Sequence, residues 1–173
     1  MANIVTATIQ LQVNGTFEKE TDLTSAIESF ATGSNDFDAI KEEYTDGTGS
    51  NQIKSLWFDE RTLTTTATDS LDLAGGLTDV YGATITFTVL KFILIDIDAP
   101  DGTKVLRVGP RSVANAFVGP FGDSSDFVNV YRTFYISEPY TGWTVTAGTG
   151  DLLVINNNTA GSITYRIMVG GEV

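Results

Sequence analysis

Cysteine and histidine are both missing from this chain. Without cysteine there are no disulfides, no thiolate nucleophile and no thiolate zinc site. Without histidine there is no imidazole metal ligand, no imidazole base for a catalytic triad and no switch titrating near neutrality. Basic residues are scarce as well, 10 Lys and Arg against 22 Asp and Glu, for a formal charge of −12. No basic patch is available to displace counterions from a phosphate backbone, so nucleic acid is not expected as a partner. Anionic membrane surfaces are disfavoured for the same reason. The most apolar stretch, residues 85–97, is interrupted by Lys91 and Asp96, and it is well short of the ~20 residues a spanning helix needs. The opening Met1-Ala-Asn-Ile-Val-Thr lacks the basic start and apolar run of a signal peptide. Neither Ser-x-x-Lys nor Gly-x-Ser-x-Gly occurs, and Gly75-Gly76 is not followed by the Lys-Ser/Thr of a phosphate loop.

What is present is β-strand signal. From residue 127 onward, apolar runs alternate with glycine, asparagine and proline turns. Residues 127–136 alternate apolar and polar as one half-buried strand should. Residues 143–146, 151–155 and 162–169 follow as further strands, the last two separated by an Asn156–Gly161 turn. Residues 4–13 predict a strand, alternating at period two from Val5 to Val13, with Asn14-Gly15 as the turn behind it. Residues 22–31 carry Leu23, Ile27 and Phe30 at helical spacing, with Asp22 or Thr24 as cap and Gly33 beyond the end, which predicts one short helix. Residues 32–51 are polar and acidic and read as a loop or link.

Order is expected again from residue 52 to 63, and around Leu71, followed by a turn at 79–82. Residues 83–97 predict a long strand whose apolar face switches near Val89-Leu90, the mark of a bulge or of a passage into the interior where both faces are covered. Asp98-Ala-Pro-Asp-Gly102 is a turn, with residues 104–108 as its hairpin partner. Residues 113–121 read as a loop packing Phe117 and Phe121 onto a sheet. The fold class is therefore all-β, an antiparallel β-sandwich or jelly roll over residues 52–173, with residues 1–51 an arm of one strand, one short helix and an acidic linker.

Candidate chemistry is thin. Asp96, Asp98 and Asp101 could offer oxygens to a hard cation, as could Asp123 and Asp126, but each group sits where turn chemistry alone favours Asp. No metal or cofactor is expected, and no enzymatic activity. Trp57, Phe58, Tyr131, Phe134, Tyr135, Tyr140 and Trp143 could serve a core, a subunit interface or a sugar-stacking face.

Three stretches carry a resemblance: Leu71-Asp-Leu-Ala-Gly-Gly-Leu-Thr-Asp-Val-Tyr-Gly-Ala-Thr-Ile-Thr-Phe87, Thr141-Gly-Trp-Thr-Val-Thr-Ala-Gly-Thr-Gly-Asp-Leu-Leu-Val-Ile155 and Thr164-Tyr-Arg-Ile-Met-Val-Gly-Gly171. With Ala116-Phe117 between them, residues 57–173 resemble virion structural proteins of tailed bacteriophages. Tyr131-Arg-Thr-Phe-Tyr135 stands where those proteins usually have an Arg-Pro-Gly-Gly turn, and residues 1–51 match nothing in them. The resemblance implies a head decoration (cement) protein, homotrimeric, bound to the major capsid protein on the outer capsid surface and made in the host cytoplasm. A tail or fibre module that recognises a host glycan is the alternative. Contact residues are then expected at Ile4, Ile9, Leu11 and Val13 of the arm, and at Trp57, Phe58, Phe117 and Phe121. On that reading, truncating Trp57 or Phe121 weakens attachment and spares the fold.

Overall fold

The computed structural model describes residues 4–11, 16–20, 25–29 and 40–173. They divide into two compact units, Thr6–Tyr44 and a larger one made of Met1–Val5 with Thr45–Val173.

The smaller unit contains β1 (Ala7–Leu11), β2 (Thr16–Glu20), β3 (Ser25–Ser29) and most of β4 (Ile40–Asp46). β1 lies within the strand expected over residues 4–13 and pairs antiparallel with β4, from Ala7 opposite Tyr44 to Leu11 opposite Ile40. β4 corrects the expectation of a loop through residue 51. The helix expected over residues 22–31 is not formed: β3 pairs antiparallel with β2 in a hairpin, Thr16 opposite Ser29. An isolated helix of about ten residues is marginal in water, and a strand partner close in sequence satisfies the same backbone groups. Asn14-Gly15, Val13 and the proposed helix caps lie outside the described residues.

The larger unit is the sandwich. Its strands are β5 (Gln52–Ile53), β6 (Ser55–Leu63), β7 (Thr68–Asp72), β8 (Ala74–Thr78), β9 (Thr84–Thr86) and β10 (Val89–Ile97). Then come β11 (Leu106–Val108), β12 (Val128–Val130), β13 (Thr133–Ser137), β14 (Trp143–Thr144), β15 (Leu152–Asn157) and β16 (Ile163–Glu172). One sheet has the order β13-β10-β16-β6, with β14 also on β10, and the other β12-β11-β15-β7. Pairing is antiparallel throughout both sheets. β6 pairs with β16, β7 with β15, β10 with β13 and β11 with β12. That nesting of pairs is one long hairpin rolled up, the double Greek key of a jelly roll. The all-β sandwich expectation is met, except that the only helical turn among the described residues is a short 3-10 segment, Gly119–Phe121.

The core lies between the sheets. Ile93, Ile95 and Ile97 of β10 and Ile163, Tyr165, Ile167 and Val169 of β16 face Leu106, Val108, Leu153 and Ile155 of the other sheet, all buried. Alternation places their neighbours Phe92, Leu94, Asp96, Arg166 and Met168 on the outer face.

Three strand readings need correction. Residues 83–97 are not one strand: β9 pairs with β8 in a separate two-stranded sheet, and β10 starts at Val89 in the β13-β10-β16-β6 sheet. The other two corrections come from the rolling. Residues 104–108 are not the hairpin partner of β10; the chain crosses there to the other sheet, where β11 sits between β12 and β15. Likewise residues 127–136 are not one strand. They break at Tyr131-Arg132, β12 belonging to one sheet and β13 to the other. The bulge expected near Val89-Leu90 is there, with the register slipping between Leu90 and Phe92. It turns Lys91 into a buried site, where the ammonium meets Glu172 at 3.1 Å and the Tyr140 carbonyl at 2.8 Å.

The asparagine run is the other departure. β15 continues through Asn156 and Asn157, and both side chains are buried. Asn157 donates to the carbonyls of Leu63 (3.1 Å), Thr64 (2.9 Å) and Gly161 (2.6 Å) and accepts from the amide and hydroxyl of Thr159. It thus ties together the β6–β7 and β15–β16 connections.

Candidate functional site

The residues expected to make contacts divide sharply by burial. Trp57, Phe117 and Phe121 are core residues, 6%, 1% and 9% exposed. Trp57 stands opposite Val169 on the inner face, and Arg61 covers its ring at 5.4 Å. Phe117 and Phe121 come from the long β11–β12 connection, whose Phe117 amide donates to the Leu152 carbonyl. Phe58, by contrast, is 56% exposed, and Ile4 is 80% exposed. Ile9 lies in β1 and is half-buried, and Leu11 ends the same strand opposite Ile40. Val13 is outside the described residues.

Phe58 belongs to a surface that alternation builds. On the outer face of the β13-β10-β16-β6 sheet, register sets Phe58 beside Met168, Met168 beside Leu94, and Leu94 beside Tyr135. Two residues along each strand lies a second row, Glu60, Arg166, Asp96 and Thr133, in the same order. The face therefore passes from apolar to charged in one step. Phe92, on the apolar side, is buried, and its ring lies so close to Gly170 that a Cβ there would be 2.4 Å from it. Between the rows is a groove of about 590 Å³ with Phe58, Leu94 and Met168 as its apolar lining.

Charge around the groove is uneven. Asp59 is bridged by Arg61 at 3.0 Å and Glu60 by Arg166 at 3.4 Å. Arg166 also reaches away to Asp98 at 3.3 Å. Asp96 accepts the Thr133 hydroxyl at 2.8 Å and forms no salt bridge with the described residues. Leu94 escapes a sequence reading because β10 is apolar on both faces, so alternation cannot say which face is covered; Met168 and Arg166, on β16, come beside it only through the register of the assembled sheet.

The other candidate acids are explained locally. Asp101 accepts the Thr103 hydroxyl (2.7 Å), the Thr103 amide (2.9 Å) and the Lys104 amide (3.2 Å), which hold its carboxyl below the usual carboxylate range. Asp123 is lowered by the amide and hydroxyl of Ser125, both at 2.8 Å. Among the described residues no three acids converge as cation ligands. The remaining polar cluster is internal. The Tyr165 hydroxyl donates to Asp69 at 2.9 Å and Arg61 bridges the same carboxylate at 3.0 Å. Burial first, and the Asp69 charge second, push the Tyr165 phenol far above its ordinary range. The exposed rings Phe58, Tyr131 and Tyr140 sit on β6, on the β12–β13 crossing and on the β13–β14 loop, three separate elements.

No protein-family model matches the chain, and no curated protein matches it. Among solved structures, a chain of the cyanophage Pam1 capsid asymmetric unit aligns over 72% of this chain and 86% of its own length, at 17% identity and a TM-score of 0.37. So loose an overlap carries no weight for fold or role; the fold rests on the strand order described above.

Proposed function

We propose that this chain is a structural protein of a bacteriophage particle, and more finely a trimeric decoration protein attached to the major capsid protein on the outer face of the head. The observation that carries the reading is a jelly roll presenting an apolar groove on one sheet face, with Phe58 at its edge 56% exposed. Such a surface suits repeated association with protein. Jelly rolls serve capsids, lectins and cupins alike, so the fold by itself does not choose among them. The likeness of residues 57–173 to phage virion proteins favours the first. The charge of −12 fits an outward position, away from packaged DNA.

Cryo-electron microscopy of purified particles, with light scattering of the full-length protein, tests the proposal. Copies comparable in number to the major capsid protein, and a trimer in solution, are the expected result. A few copies at one vertex indicate a tail or fibre module instead, and absence from particles ends the virion reading.

A further inference from the structure

We infer that the groove on the β13-β10-β16-β6 face receives an apolar segment of a partner protein, and that this segment carries a lysine or arginine for Asp96. The inference rests on the contact-protein reading above and names the chemistry of the contact. Phe58, Met168 and Leu94 lie in register across three adjacent strands, so they form a continuous apolar strip on a fixed sheet. A partner that covers the strip also covers the row beside it.

Charge then selects the partner. Glu60 and Asp59 already have arginines, and Arg166 is shared between Glu60 and Asp98. Asp96 lines the same groove, and among the described residues its carboxylate has only a hydroxyl donor, from Thr133. An apolar partner would strip water from that carboxylate and leave it without a counter-ion, which is costly. A partner cation placed there removes the cost and adds a charge-assisted hydrogen bond. A second copy of this chain is a poor occupant, because at −12 it brings a surplus of carboxylates to an acidic rim.

The test uses full-length protein and three synthetic peptides: a Leu/Val heptamer with a central Lys, the same with Glu in place of Lys, and a Ser-substituted control. Calorimetry or NMR titration should show the Lys peptide binding about tenfold tighter than the Glu peptide, a preference that shrinks with salt. Phe58→Ser should abolish binding. Asp96→Asn should keep the apolar binding and erase the Lys-over-Glu preference. Three results overturn the inference: no peptide binds, binding ignores Phe58→Ser, or the preference survives Asp96→Asn. Self-association without peptide that Phe58→Ser abolishes overturns it too, by making a second copy the occupant. The underlying reading fails separately. Peptide binding in a protein absent from particles refutes the virion role alone, and particles carrying Phe58→Ser at full occupancy, with no peptide binding, refute the groove alone.

Discussion

Asn157→Ala removes the side chain that ties two connections of the sandwich to one point. The residue is fully buried, and its amide donates to three carbonyls, those of Leu63, Thr64 and Gly161, within 3.1 Å. Two hydrogens serve three acceptors, so one of those bonds is shared. Its oxygen accepts two further bonds from Thr159. Alanine leaves these groups to be rehydrated or stranded, at about 1–3 kcal/mol for each buried group that finds no partner. If two go unsatisfied, the loss is ~4 kcal/mol, which in a domain of this size lowers Tm by about 10 °C. Differential scanning calorimetry of wild type and variant measures it directly. Thr159→Ala, which removes one hydroxyl bond, serves as the graded control and should lose ~1 kcal/mol. An Asn157→Ala Tm within about 3 °C of wild type would refute the reasoning, since the network would then be replaceable by water.

Other outcomes follow from the packing. Trp57→Ala should cost ~3–5 kcal/mol in denaturant unfolding because the ring is core, whereas the neighbouring Phe58→Ser should stay within about 1 kcal/mol of wild type; equal losses would mean the faces are misassigned. Gly170→Ala should destabilise by ~1–3 kcal/mol as the new methyl meets the Phe92 ring, and a neutral result by thermal melt would show that the ring can swing aside. The Tyr165 phenol is held protonated in the fold, while the unfolded chain ionises it near its ordinary value of about 10. The Tyr165 contribution to stability should therefore be constant below that pH and fall above it, by up to ~1.4 kcal/mol per unit, and Tyr165→Phe should flatten the alkaline decline; an unchanged slope in the variant would exclude Tyr165 as its source.

Period-two patterning made β1 legible, apolar runs bounded by turn residues did the same for β15 and β16, and the change of apolar face pointed to the irregularity near Leu90. The errors lie where local and non-local pairing compete. Asp98-Ala-Pro-Asp-Gly102 has the composition of a hairpin turn, yet the Asp101 cap that favours the turn also serves a chain crossing to another sheet. Residues 127–136 slip phase at Arg132-Thr133, where the resembling proteins have a turn, but no glycine or proline stands there to mark the point where the sheets part. Asn156 and Asn157 have turn composition but fill buried strand positions, because carbonyls distant in sequence await them. For the groove, Phe58 stood out as a large residue beside another large residue. The row completing it depends on the register of four strands, and register is fixed only by the assembled sheet.

The rolled hairpin also sets an order in time. Its outermost pair is β6 and β16, and β16 lies between β10 and β6 in the middle of its sheet. A ribosome that has just released β10, ending at Ile97, must still add 75 residues before β16 is complete at Glu172. At roughly 5–20 residues per second that is an interval of about 4–15 s. Throughout it, one edge of the apolar β10 has no native partner, so the nascent chain depends on chaperones or on its own acidic charge to avoid pairing with the wrong strand.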